Sequence, residues 1–379
     1  MAVNSAMLTA LTAAALMLPA CAQVAATAKP APTPSASVGP AGEPTFGTIH
    51  MITPQVGWAM SEQGVVRTTD GWAHWLNLGP PDVSGLGAGA QFVSDTDAWV
   101  VAGKPQTPRA STIFHTTDGG ASWSRTALLD PAAVGPGEPD FIDATHGWLF
   151  VSYGVAAGSE GGAIYRTVDG GSHWTKVEET VGGVQEEPGS LPFGCDKAGI
   201  SFINANTGWA SGSCAGGAPY FYVSHDAGRT WTSQPLPLPG SLAQESEQWS
   251  ASLPVFFDAR SGYFVLTGSV ALLYTTSDAG TTWTSRILPM GGWSKPLAAV
   301  AFSTPSDGWL LSGDGALVYR TNDGGEHWAS FRPLAPLTGL QTVDVLDMMH
   351  AIAVLNPSGN QSVLRMTNDG GHAWTQVLP

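Results

Sequence analysis

A short tag, S/T-x-D-x-G-x-x-W, recurs seven times along the chain and constrains its fold more than any other feature. Clear copies are TTDGGASW (Thr116 to Trp123), TNDGGEHW (Thr321 to Trp328) and TNDGGHAW (Thr367 to Trp374). The tag aspartates are Asp70, Asp118, Asp169, Asp226, Asp278, Asp323 and Asp369, separated by 48, 51, 57, 52, 45 and 46 residues. Such spacings fit one small antiparallel sheet per repeat. A second tag precedes each one: an apolar run, a polar turn, then Gly-Trp or a substitute, at Trp58, Trp99, Trp148, Trp209, Tyr263, Trp309 and the degenerate Ala351.

Repeat six predicts the unit. Strands are expected near Leu297 to Phe302, Gly308 to Ser312 and Ala316 to Arg320, with a fourth from about His327; Gly313 to Gly315 and the aspartate tag supply turns. A single four-stranded meander cannot bury both of its faces, but sheets packed face to face around an axis bury one another. The expectation is therefore all-β: a seven-bladed β-propeller of four-stranded antiparallel blades over residues 45–379, with blade one meeting blade seven. An open β-solenoid is the alternative, disfavoured because its repeats are normally shorter. Short apolar runs, 47 glycines and 15 tryptophans agree with many short strands.

The formal net charge of −15 argues against nucleic acid or an anionic membrane surface as partner, since both require Lys/Arg to neutralise phosphate. Residues 1–20 read as a signal peptide, with an apolar stretch too short to span a bilayer. LPAC (Leu18 to Cys21) resembles a lipobox, which implies lipidation of Cys21; cleaved secretion is the alternative. Residues 21–44 have the Ala/Pro-rich composition of an extended tether. The location expected is extracytoplasmic, on a membrane through the lipid or secreted. Cys195 and Cys214 flank one predicted hairpin, so a disulfide is expected, with free thiols as the alternative.

The tag itself reads as turn chemistry. A carboxylate two residues before glycine can accept N–H groups of its own turn, glycine supplies positive φ, and the tryptophan packs between blades. Seven carboxylates spread around a rim match neither a glycosidase, which needs two within about 5 to 10 Å, nor calcium, which needs several oxygens per site. In TTDGWAHW, Trp72 stands where glycine is expected, which predicts a distorted turn. These motifs resemble the Asp-box, or BNR, repeat shared by sialidases, sortilin-type receptors, xyloglucan-cleaving glycosidases and the photosystem II stability and assembly factor family. Seven copies combined with Gly-Trp strands most resemble the last family, which implies an exported or lumenal seven-bladed propeller acting as a binding platform.

A sialidase resemblance would imply an arginine triad and an early F-R-I-P stretch. The nearest string, FRPL (Phe331 to Leu334), follows the sixth tag, and Arg67, Arg166, Arg320 and Arg365 recur at equivalent positions before tags, as architecture would. No HExxH, Walker or nucleophile-elbow motif occurs, and neither a cofactor nor a metal is expected. The longest interblade connections, 177–199 and 232–254, flank blade four and are expected to overhang one sector. They nominate Glu186, Glu187, Glu245, Glu247 and Trp249, with Trp293 one blade on, as binding residues, against a reading in which the glutamates are solvated and the tryptophans cover blade ends. Two functions stay open: a non-enzymatic platform for an envelope or membrane protein, or a secreted glycoside hydrolase or glycan-binding lectin.

Overall fold

A computed structural model describes residues 45–377 except 82, 84–87, 105–109, 184–186, 215, 217, 241, 243–247, 291–296 and 357–361. Cys21 and the whole of residues 1–44, expected to be leader and tether, lie outside the described residues. The described elements are all strands, and they follow one another as antiparallel meanders. The seven units, hereafter blades 1 to 7, cover 46–77, 89–129, 138–180, 196–233, 249–287, 297–331 and 340–377. In each, the chain runs from an inner strand through second and third strands to an outer one. Blade 6 matches expectation in its first two strands, Leu297–Phe302 and Gly308–Ser312, while its third is Val318–Thr321 and its outer strand Ala329–Phe331.

The Asp-box turn is a closed hydrogen-bond unit, the same in all seven copies. In blade 6 the buried Thr321 hydroxyl donates to Asp323 Oδ1 (2.8 Å) and accepts Gly325 N–H (3.0 Å), while Asp323 Oδ1 accepts His327 N–H (2.9 Å). In six copies the second carboxylate oxygen takes a side-chain partner four residues on, Ser122, Thr230 and Thr282 hydroxyls or His74, His173 and His327 imidazoles, and in blade 7 it accepts the Ala373 N–H. A hydroxyl and an imidazole are interchangeable here because either can offer a hydrogen to the same oxygen. The expected distortion at Trp72 is absent. Its N–H still donates to Thr68 Oγ1 (3.2 Å), and Trp72 itself adopts φ 74° where Gly120 has φ 88°. The fully buried indole, whose Nε1 donates to Pro54 O, offsets the cost of that left-handed backbone.

Gly-Trp explains how blades meet. The tryptophan of one blade stacks on the phenylalanine that ends the inner strand of the next: Trp58 on Phe92, Trp99 on Phe141, Trp148 on Phe202 and Trp209 on Phe256, at centroid separations of 5.5, 4.0, 3.7 and 5.1 Å. The preceding glycine makes room for that same phenylalanine in its own blade. A Cβ on Gly147, Gly208 or Gly308 would lie 2.4 Å from the ring of Phe141, Phe202 or Phe302. Indole N–H groups then reach into the next blade's Asp-box turn, as Trp99 does to Gly170 O and Trp148 to Ala227 O.

Blade 7 packs on blade 1, with Phe46, Ile49 and Trp75 sharing a core with Ile352, Val354 and Leu364. Strand register corrects the expected position of the degenerate copy: Ala351 pairs with Thr367 as the glycines do, so Ile352 stands where the tryptophan is expected, and Asp344 of blade 7 accepts the N–H of Met51 in blade 1. Each blade is built from one contiguous stretch, as expected. The unexpected strand lies elsewhere: Trp249–Ala251 pairs with the second strands of both blade 4 and blade 5 and merges them into one nine-stranded sheet. Cys195 and Cys214 form the disulfide, with Cα atoms 4.6 Å apart.

Two substitutions test these roles by chemical denaturation. Trp148→Ala removes an indole stacked at 3.7 Å and is expected to cost about 3 to 5 kcal/mol. Thr321→Val leaves the buried Gly325 N–H without its acceptor and is expected to cost about 1 to 3 kcal/mol. A loss below about 0.5 kcal/mol, the level of an ordinary surface change, would remove the assigned role in either case.

Candidate functional site

The Asp-box carboxylates are committed to their turns. Hydrogen bonds from the His173 imidazole and backbone hold Asp169 down at about 2, and the His327 backbone and imidazole depress Asp323 in the same way. Among the described residues one group, Asp323, Glu326 and His327, brings potential metal-ligand atoms within 4.8 Å of one another. Its members already have partners: His327 Nδ1 pairs with Asp323 and Glu326 with Arg286 (3.0 Å). The repeated arginines are architectural too. Arg67 and Arg320 lie over Trp58 and Trp309 at 5.2 and 5.3 Å, and Arg320 donates to Gly370 O in the next blade.

Of the residues nominated for binding, Glu186, Glu245, Glu247 and Trp293 lie outside the described residues. Glu187 is exposed, but beside the outer rim of blade 4: Gly189, two residues on, accepts Trp231 N–H and touches Thr230 at the end of the Asp-box turn. The connection is drawn there because Leu191 is buried and its N–H donates to buried Glu178. Trp249 corrects the expectation of an exposed anchor. It is 1% exposed and packs with Trp209, Phe221, Phe264 and Trp283, because the bridging strand carries it between blades 4 and 5. Glu187 and Trp249 therefore share no surface.

What the structure does assemble is a ring of inner-strand side chains. The residue before the end of each inner strand is, from blade 1 to blade 7, His50, Gln91, Asp140, Ser201, Val255, Ala301 and Asp344. Polar members pin neighbouring blades. Gln91 Oε1 accepts Phe141 N–H (2.6 Å), Asp140 Oδ2 accepts Phe202 N–H (2.7 Å), and Ser201 Oγ donates to Pro254 O (2.7 Å). His50 Nδ1 lies 3.3 Å from Asp344. Burial pushes the Asp140 carboxyl up to about 7, against the opposing pull of the Phe202 N–H.

Between blades 5 and 6 the inner ring carries the apolar Val255 and then Ala301, and the Phe302 N–H is taken instead by the Tyr263 hydroxyl of the second strand (3.3 Å). The inner strand of blade 5 is also interrupted. Trp249–Ala251 and Val255–Phe256 pair with the second strand, but Pro254 between them has no N–H for the ladder. The result is a cleft of ≈320 Å³ walled by Leu253, Val255 and Val265 on one side and Leu297, Ala299 and Val300 on the other, with Tyr263 also lining it. Val255 is 47% exposed. Chemically this is a site for apolar side chains, falling at the low end of ligand-pocket volumes, about 300 to 1,000 Å³.

The sequence profile of the family described as photosynthesis system II assembly factor YCF48 matches residues 41–190. Photosystem II assembly lipoprotein Ycf48 of Synechococcus sp. (strain CC9902) is 32% identical over 142 residues, which cover 36% of this chain and 38% of that protein. The match thus spans little more than a third of that curated relative. A solved structure of YCF48 bound to D1 peptide aligns over 89% of this chain and 97% of its own, with TM-score 0.55 and 18% identity. The GH74 xyloglucanase from Xanthomonas campestris aligns over 90% of this chain and 55% of its own, with TM-score 0.60 and 17% identity. The structural likenesses show the fold. Together with the sequence match they identify a BNR-type propeller related to the photosystem II assembly factor.

Asp140 gives the ring a testable pH signature. Its folded-state value of about 7 lies above that of an unfolded aspartate, so its contribution to stability is present at acid pH and is lost as pH rises through about 7. The melting temperature is expected to fall between about pH 4 and 7, the unfolded and folded values of this carboxyl, and Asp140→Asn to flatten that slope. An unchanged slope in the variant would remove Asp140 as its source.

Proposed function

We propose that this chain is an exported, lipid-anchored, non-enzymatic propeller that holds a segment of an envelope or membrane protein, in the manner of an assembly platform. The observation that carries the reading is the apolar cleft between blades 5 and 6, where the inner ring carries Val255 and Ala301 in place of polar side chains. An extended partner segment placing one or two apolar side chains between Val255 and Val300 would bury surface that is otherwise wet, at about 25 cal/mol per Å². The relationship to the photosystem II assembly lipoprotein supports both a protein partner and attachment through Cys21.

One observation favours a carbohydrate-active alternative. Glu138 and Asp140 are alternate residues of one inner strand, and a carboxyl raised to about 7 is suited to act as a general acid. The same ring position argues for a structural role, because Gln91, Asp140 and Asp344 each accept a backbone N–H from the following blade. A side chain used in the same way by three junctions is explained by blade packing.

The two readings separate in one set of measurements on the purified chain. Peptides tiled from membrane proteins of the same cell are expected to bind, and Val255→Glu to abolish that binding while leaving the melting temperature within about 2 °C, as for a surface change. Release of reducing sugar from xyloglucan or a chromogenic glycoside, lost in Asp140→Asn, would replace the platform with an enzyme. For the anchor, cells fed labelled palmitate are expected to label the wild-type chain and not Cys21→Ala; equal labelling of both would remove Cys21 as the attachment point.

A further inference from the structure

A second site lies on the outer part of the junction between blades 1 and 2. We propose that this groove receives an extended, proline-containing segment of a partner protein that carries a carboxylate. The groove has a volume of ≈650 Å³ and is lined by Phe114, Trp123, Thr112, Arg125 and Ala127 of blade 2, with Pro81 at its edge. Phe114 and Arg125 are opposite each other across the third and outer strands, as are Thr112 and Ala127, so the four share one face of the blade.

The protein contains a filled copy of the same groove. Counting from the tag aspartates, Tyr274, Trp283 and Ser285 of blade 5 occupy the positions of Phe114, Trp123 and Arg125 in blade 2. There the chain's own segment QPLPLP (Gln234 to Pro239) lies across the blade. Tyr274 OH and Ser285 Oγ both donate to Pro237 O, at 2.9 and 3.1 Å, and Leu236 and Leu238 pack against the core of that junction. A proline-rich strand suits this place because its extended form is largely preset and its carbonyls are free to accept.

Among the described residues, blade 1 leaves this face of blade 2 uncovered, because its chain turns inward earlier. Its outer strand ends at Asn77, and the turn closed by Val83 N–H to Pro80 O begins three residues later, carrying Val83 into the core. In blade 4 the outer strand ends at Ser233, and the corresponding turn, Leu242 N–H to Pro239 O, begins six residues later. The missing length is the length that fills the blade 4–5 groove. Trp123 is fixed in place by its Nε1 donating to Leu78 O (2.7 Å), so an aromatic wall stands ready beside the opening.

Arg125 assigns the charge of the occupant. It replaces the serine that serves the filled groove, and it has no hydrogen-bond or ion-pair partner among the described residues of a chain whose net charge is −15. A guanidinium at the mouth of an aromatic groove fits a carboxylate, which it can hold through two parallel N–H groups. Charge complementarity therefore selects an acidic segment over the chain's own Ala/Pro-rich residues 22–44, whose KPAPTP stretch carries Lys29.

The test uses the full chain and two fluorescein-labelled peptides, Gln-Pro-Leu-Pro-Glu-Pro and the uncharged Gln-Pro-Leu-Pro-Leu-Pro, followed by anisotropy at low salt. The acidic peptide is expected to bind about tenfold more tightly than the uncharged one, the worth of one charge-assisted contact. Arg125→Ser should remove that preference, and Ala127→Phe, at an exposed position that plugs the opening, should weaken both peptides. Val255→Glu should leave both unchanged, which separates this groove from the cleft between blades 5 and 6. Absence of binding by either peptide, or a preference that survives Arg125→Ser, would overturn the proposal. A peptide of residues 22–44 binding as tightly as the acidic one would overturn it as well, by assigning the groove to the chain itself.

Discussion

The contact on which the rest depends is the stack between the tryptophan of one blade and the phenylalanine ending the inner strand of the next, with centroids as close as 3.7 Å. Buried aromatic area holds the blades face to face, and the glycine before the tryptophan keeps the same phenylalanine from colliding with its own blade. Asp-box turns then close the edge of this contact, because they present backbone carbonyls where the indole N–H groups arrive. A repeat that supplies both halves of a junction can be extended blade by blade until first meets last.

Function enters where that regularity lapses. Across five successive blades, from 7 through 4, the inner ring has a polar side chain, and at blades 5 and 6 it has Val255 and Ala301. Pro254 breaks the adjacent ladder, and the strand before it pairs back toward blade 4. The cleft between blades 5 and 6 is the consequence. In the outer layer, a turn placed three residues early at Pro80 uncovers Phe114 and Trp123. Both openings come from one local change in a connection, while the sheets around them stay intact.

Some of this was legible in the chain and some was not. The turn chemistry could be read because its donors and acceptors lie within eight residues of each other, so Thr321, Asp323 and Gly325 announce their own hydrogen bonds. Disulfide geometry followed from two cysteines flanking one hairpin. Trp249 was misread because a tryptophan in a Ser/Glu-rich connection has the composition of an exposed anchor, and only its pairing with Cys214 reveals that it is core. A signal was present in the alternating WSASL pattern, which fits a strand with one buried face, but it is too short to outweigh its surroundings. The Gly-Trp pair was visible as a repeat without its reason, since the ring it accommodates sits six residues upstream on a different strand.

By itself the sequence determined the all-β class, the phase of the repeats and the structural duty of the tag aspartates, because each follows from interactions within a single turn or from a count. Tertiary structure decided which surfaces stay uncovered. That depends on where each connection turns and which neighbouring blade it reaches, as Pro237 reaches Tyr274 and Ser285 while Pro81 only borders a groove. Two prolines in similar connections are indistinguishable as letters. Their difference lies in three residues of chain length and in the blade that stands opposite.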